Sequence, residues 1–185
     1  MALGVLVFRS GWVALLLYHL CIVLALSTNR DRISLGDLRR GFAVLPMLLM
    51  ILIAVGGYFV LTSHAVSNGF TGDKVAGLSG SAGVGFLIYL LVVNPPLEEI
   101  FWRDLFASAS KGPSFGDFLF GCFHVPIFML FLSPAMIPPG ILLIAIGGWG
   151  WRQMRIRYEG LLLPWMGHFL ADLMLIAIVL RLLSL

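Results

Sequence analysis

Apolar runs of about 17 to 25 residues recur from the first part of the chain to the last, and each is long enough to cross a bilayer as a helix. Six spans are expected: Gly11 to Ser27, Phe42 to Leu61, Phe86 to Phe106, Phe115 to Leu132, Ile137 to Trp151, and Leu161 to Arg181. The fifth is short, which suits a span with little tilt or one that is partly re-entrant. Ser63 to Gly85 is rich in Gly and Ser, including Gly69, Gly72, Gly77, Gly80, Gly83 and Gly85. It reads as a loop whose later half already packs closely as helix. No repeat or composition break divides the chain, so residues 1–185 read as a single integral membrane domain. The predicted fold is all-α, a polytopic transmembrane bundle of about six spans.

Composition agrees with the pattern. Of 185 residues, 60% are hydrophobic and 11% charged, against about 25% charged in ordinary globular domains. A water-soluble fold is excluded. The net charge of +3 would hint at nucleic acid in a soluble protein, but here the basic residues cluster in the connections between apolar runs, where positive charge sets orientation. Arg30, Arg32, Arg39, Arg40, Arg103, Lys111, Arg152, Arg155 and Arg157 fall on one side, and Arg9, Lys74 and Arg181 on the other. That split assigns the first group to the cytoplasm, with both termini outside and no nucleic-acid partner. Ala25-Leu26-Ser27 resembles a signal-peptide cleavage site, but the apolar stretch ahead of Arg9 makes a poor n-region. Cys21 and Cys122 lie inside apolar runs and are expected to be reduced packing residues.

Ionisable residues inside spans cost about 2.5 to 3.5 kcal/mol each at a helix centre, so each needs a partner or a function. Glu98, Glu99, Arg103, Asp104, His124, His168 and Asp172 are the informative set. Glu98 and Glu99 follow Asn94-Pro95-Pro96-Leu97. Pro95 and Pro96 predict a kink just before the glutamates, and broken backbone at that depth is tolerated where it lines a cavity. Glu99 and Arg103 stand at i and i+4 and can pair, while Glu98 points about 100° away and is free for another task. His168 and Asp172 are also at i and i+4. At about 1.5 Å per residue, Glu98 lies about 12 Å above Phe106, His124 about 14 Å above Phe115, and His168 about 11 Å above Leu161. Three spans therefore bring a carboxylate and two imidazoles to one level.

Other polar and aromatic residues have plainer readings. Asp104 and Asp117 near span ends are expected to be solvated. Trp102, Trp149, Trp151 and Trp165 read as interfacial or packing aromatics. His64 falls in a loop, and His19 stands isolated in the first span.

A carboxylate and two histidines around a cavity suit hydrolysis by an activated water. Glu98 is the candidate general base and His124 the group that orients the water and relays its proton. His168 and Asp172, on another helix, can stabilise the developing oxyanion. The motifs are Glu98-Glu99-Ile100-Phe101-Trp102-Arg103 as E-E-x-x-x-R, Phe120 to His124 as F-x-x-x-H, and His168 to Asp172 as H-x-x-x-(N/D). In that order, over roughly residues 80 to 180, they resemble the CPBP family of CAAX-protease and bacteriocin-processing membrane proteins.

The resemblance implies a catalytic core at about 80–180 and an all-helical intramembrane endopeptidase of the glutamic type. Glu98 would be its base, His124 its water-binding residue, His168 with Asp172 its oxyanion site, and Glu99 with Arg103 the supporting pair. No cofactor is implied. Zinc on two Glu and two His is the alternative, but no tight spacing such as H-E-x-x-H favours it. CAAX-cleaving members carry Asn where this chain has Asp172, and an ionised carboxylate cannot donate to an oxyanion. Asp172 is therefore expected to orient His168, and strict CAAX specificity is in question.

The expected partners are the lipid bilayer and a membrane-anchored protein or peptide: a prenylated tail, a C-terminal sorting tail or a bacteriocin leader. The expected location is a prokaryotic plasma (inner) membrane, with the site nearer the cytoplasmic face. The rival reading is a non-catalytic membrane scaffold or bacteriocin-immunity protein. A proton relay is less consistent with the apolar outer stretches Ile127 to Leu132 and Leu173 to Leu180.

Overall fold

The computed structural model describes residues 10–29, 31, 41–64, 80–106, 108–131 and 133–183. Its elements are all helical: α1 (Gly11–Thr28), α2 (Val44–His64), α3 (Gly80–Val92), α4 (Asn94–Glu99), a π-helical segment (Ile100–Leu105), α5 (Phe115–Phe123), α6 (Val125–Phe131), a 3-10 turn (Pro134–Met136), α7 (Ile137–Tyr158) and α8 (Leu162–Leu183). Arg9, Arg30, Arg32, Arg39, Arg40 and Lys74, half of the basic residues that set the expected orientation, lie outside the described residues, as does most of the Gly/Ser-rich stretch. The end of that stretch, from Gly80, is helix.

Among the described residues, three helical stretches are long and apolar enough to cross a membrane: Gly11–Thr28, Gly83–Leu105 and Pro134–Tyr158. The other three expected spans correspond to the shorter apolar helices Val44–Phe59, Phe115–Met129 and Leu162–Ile178. α8 packs against α2, α7, α4 and α3, and α5 lies along α7. Large apolar side chains cover the outside: Leu16, Leu20 and Leu24 on α1, Leu45, Leu52 and Ile53 on α2, Leu142 and Ile146 on α7 are all exposed. The polar residues are inside, with His19, Asn94, Glu98, Glu99, Arg103, Asp117, Arg152 and His168 buried. Hydrocarbon accommodates such a surface and water does not, so the charges at the middle of the spans are held where the bundle encloses them.

Several expectations need correcting. Residues 152–158, expected as a connection, are the last two turns of α7, because the side chain of Arg152 is buried in protein rather than held in water. The fourth span is two helices that meet at His124, whose N–H bonds back to the Gly121 and Cys122 carbonyls. Pro126 follows in the first turn of α6, where its missing N–H costs little. His64 ends α2 rather than sitting in a loop. Cys21 is exposed on α1 instead of packed inside, and both cysteines are free thiols.

Helix packing depends on close approach at a few small residues. A Cβ at Gly121 of α5 would collide with the backbone carbonyl oxygen of Ile141 on α7. At Gly148 of α7 it would lie 2.9 Å from the Phe120 ring and 3.1 Å from Arg103 Nη2. These contacts seat α5, α7 and the π segment against one another around Phe120.

Candidate active site

α3 stops at Val93 (φ −100°, ψ −40°), and Pro95 and Pro96 open α4 in its first turn, where a missing N–H leaves no bond unmade. The kink therefore falls before the glutamates, as the prolines require. α4 passes into the π segment Ile100–Leu105, which closes with Phe106 N–H donating to the Phe101 carbonyl at 3.1 Å. Single π turns of this kind are frequent at functional sites. This one follows Glu99 directly and carries Arg103.

His168, on α8, is the hub. Its Nδ1 lies 2.9 Å from Glu99 Oε1, and its Nε2 lies 3.3 Å from Glu98 Oε2 and 3.8 Å from Asp172 Oδ1. Carboxylates accept, so Nδ1 carries a proton and donates it to Glu99. Trp151 stacks on the imidazole, with centroids 4.9 Å apart and planes 11° apart. Gly167 makes room for that stacking, since a Cβ there would lie 2.6 Å from Trp151 Nε1. Arg103 Nε is 3.3 Å from Glu99 Oε2, and its guanidinium rests 4.6 Å above the Phe120 ring. That pair lacks hydrogen-bond geometry. Glu98 Oε2, Glu99 Oε2, and Arg103 Nε and Nη2 are all buried without a hydrogen-bond partner.

His124 reaches the cluster across Phe120, whose ring centroid is 4.9 Å from that of His124 and 5.9 Å from that of His168. Its Nδ1 is 2.7 Å from the Phe120 carbonyl oxygen. A carbonyl only accepts, so Nδ1 holds the proton and a neutral His124 presents Nε2 as an acceptor.

Of the six residues given roles in the site from sequence, Glu98, Glu99, Arg103, His168 and Asp172 are in direct polar contact, and His124 is one aromatic ring away. The hydrogen bond that orients His168, expected from Asp172, comes from Glu99 instead. The reading from sequence also missed neighbours. Asn94 Nδ2 donates to Asp172 Oδ2 at 3.4 Å, and its Oδ1 is 3.1 Å from His19 Nε2. His19 is therefore not isolated. Tyr18 lies beside the Glu98 carboxylate and accepts from Trp102 Nε1 at 3.1 Å. Asn94 carried a usable signal, a polar residue within an apolar run, whereas an aromatic there is ordinary packing.

A second buried ionic group lies nearby. Arg152 grips Asp117 bidentately, Nε to Oδ1 at 3.1 Å and Nη2 to Oδ2 at 2.7 Å. It also donates to the carbonyls of Ser108 (2.9 Å), Ser110 and Gly112 (2.7 Å). Asp117 closes a capping box with Ser114. It is thus buried rather than solvated, and Asp104 is likewise paired, with Arg155 at 3.0 Å. Among the described residues no three His, Cys, Asp or Glu side chains are arranged as a metal-binding set; the carboxylates all address His168.

The family model for type II CAAX prenyl endopeptidase Rce1-like proteins matches residues 80–174. The chain belongs to the Rce1-like family. Comparison with curated proteins and with solved structures finds no match. Membership in the Rce1-like family makes this a membrane protein of a protease family whose substrates are membrane-anchored proteins. The Rce1-like segment contains the whole cluster from Asn94 to Asp172 and excludes α1, which supplies Tyr18 and His19.

Proposed function

We propose that the chain is a glutamic-type intramembrane endopeptidase that hydrolyses a peptide bond in a membrane-tethered tail or leader. The observation that carries this reading is the buried, unpartnered Glu98 Oε2, 3.3 Å from His168 Nε2. Buried acceptors are ordinarily satisfied, and a base that must take a proton from water needs a free lone pair.

Glu98 removes one proton of the attacking water, while Nε2 of His124 accepts a hydrogen bond from the same water and sets its direction. The water oxygen bonds to the scissile carbonyl carbon and the carbonyl electron pair moves to its oxygen. When the carbon–nitrogen bond breaks, the proton held by Glu98 passes to the leaving amine. Glu99 holds the imidazole of His168 by Nδ1, and Trp151 fixes its plane, so the Nε2 edge faces the reacting group. The site acts without a metal ion: one ring nitrogen of His168 is committed to Glu99, and the other is set between Glu98 and Asp172. The site lies nearer the cytoplasmic face of the membrane, by the charge distribution of the connections.

Glu98→Gln, His124→Ala and His168→Ala are each expected to abolish cleavage while the protein still accumulates in the membrane. The assay is release of a fluorophore from a quenched peptide ending in S-farnesylcysteine and three further residues, with the protein in lipid vesicles. Full cleavage in all three variants sinks the assignment of Glu98, His124 and His168, and a wild-type chain that cleaves no membrane-tethered peptide leaves the scaffold. Chelator-sensitive cleavage that zinc restores overturns metal independence.

A further inference from the structure

α1 lies outside the family-matched residues, yet it determines which way one buried amide faces. Asn94 sits between His19 Nε2, 3.1 Å from its Oδ1, and Asp172 Oδ2, 3.4 Å from its Nδ2. His19 (4% exposed) and Asn94 (7%) are enclosed, and the Asp172 side chain is 18% exposed. An ionised carboxylate only accepts, so the amide nitrogen must face Asp172 and the amide oxygen must face His19. His19 therefore carries its proton on Nε2, and its Nδ1 is left without a partner. An apolar residue at position 19 would remove the donor that keeps the amide from turning its oxygen towards Asp172.

An amide nitrogen has two protons, and Asp172 takes one. The other is available to a substrate. Asn94 and Glu98 are at i and i+4 on α4, hence on one face with Cβ atoms about 5–6 Å apart. The general base and an amide donor thus bracket the space a scissile carbonyl would occupy. Asp172 accepts only, and the Nδ1 proton of His168 is given to Glu99; the Nε2 edge of His168 faces the same space from α8, and Asn94 adds an amide donor to it from α4.

Resting on the protease reading, we propose that Asn94 is a catalytic residue, the amide donor to the oxyanion, and that His19 is the positioning residue that fixes its orientation. As the water oxygen bonds to the carbonyl carbon and Glu98 takes the water proton, the new negative charge on the carbonyl oxygen is met by Asn94 Nδ2–H. Loss of one such donor lowers kcat by about 10²–10³-fold.

The test uses the full chain in lipid vesicles and the quenched farnesylated peptide, with kcat and KM measured separately. Asn94→Ala is expected to lose about 10²–10³-fold in kcat with little change in KM. In that background Asp172→Asn, which returns an amide to the same pocket, is expected to recover at least about tenfold in kcat, a fraction of that loss. His19→Leu should lower kcat, and His19→Gln, whose side-chain N–H can still donate to Asn94 Oδ1, should restore most of it. Wild-type kcat in Asn94→Ala, a rise in KM alone, or no recovery in the double variant overturns the assignment while Glu98→Gln still abolishes cleavage. A wild-type chain that cleaves neither the farnesylated peptide nor unprenylated peptides tethered by a C-terminal transmembrane tail or an N-terminal leader overturns the protease reading and this assignment with it.

Discussion

Two buried ionic networks lie within one bundle, and they are completed in opposite ways. Around Arg152 the guanidinium spends its donors on both oxygens of Asp117 and on the Ser108, Ser110 and Gly112 carbonyls. Around His168, four polar atoms on Glu98, Glu99 and Arg103 are buried without a hydrogen bond. Burial alone does not separate the two, since Arg152, Glu98 and His168 are each 2% exposed. The state of completion does. A satisfied network rigidifies the fold, whereas a partly satisfied one at the same depth is costly unless it serves chemistry. The Arg152 group fastens the 108–114 loop and the start of α5 to α7, and so holds Phe120 and His124 in position. The His168 group is what they are held against.

The comparison predicts that substitutions in the two networks will separate activity from stability. Glu98→Gln, nearly isosteric and in the incomplete network, should lower the cleavage rate by about 10²–10⁴-fold, the range for loss of a general base. Its thermal midpoint in detergent should stay close to that of the unaltered protein. Arg152→Met should do the reverse, because it leaves Asp117 as an uncompensated buried charge and frees three loop carbonyls. Breaking such a pair costs about 3–5 kcal/mol, read as a collapse of the thermal midpoint and of membrane yield. Pairing Arg152→Met with Asp117→Leu should recover a large part of that stability, since apolar replacement of both partners is often near neutral. If Glu98→Gln unfolds the protein, or Arg152→Met melts like the unaltered chain, the division between the networks is wrong.

What sequence could reveal of each network follows the same physics. Glu98, Glu99, Arg103, His168 and Asp172 stood out because charge in an apolar run is expensive, and their i, i+4 spacings placed partners on shared faces. Asp117 was misread because its partner is 35 residues away on another helix; nearness to a span end says solvent only if nothing folds over it. The π segment had no local signature, since i→i+5 bonding here depends on how Arg103 and Trp102 are seated against α5 and α1. Tyr18 and Trp151 were invisible for a different reason. In an apolar run an aromatic is the expected filler, and only packing shows that one lies beside Glu98 and the other stacks on His168.

A smaller effect tests how the networks are joined. Gly121→Ala puts a methyl group against the Ile141 carbonyl, and overpacking of this kind costs about 1–3 kcal/mol. α5 must then move away from α7, carrying Phe120 and His124 with it. Activity should fall by more than the loss of folded protein explains, because His124 needs its place relative to Glu98 more than the bundle needs the contact. Equal falls in folded fraction and in rate would mean that the α5–α7 seam supports the fold without setting the site.

The smallest effect is expected at the half-open pair. Arg155 and Asp104 meet at 3.0 Å with side chains 22% and 8% exposed, between the enclosed Arg152 group and the surface. Solvent reaches the guanidinium, so the pair gains little over its hydrated partners, about 1 kcal/mol or less. Asp104→Asn keeps the shape and an acceptor and should move the thermal midpoint by only a degree or two at this chain length, and less in high salt. Asp104 also follows Arg103 on the π segment, so the variant asks whether the ion pair helps set that segment's geometry. An unchanged rate alongside the small shift in midpoint would assign the pair to the stabilising network; a rate lowered tenfold without loss of folded protein would place it with the incomplete one, acting through the neighbouring Arg103.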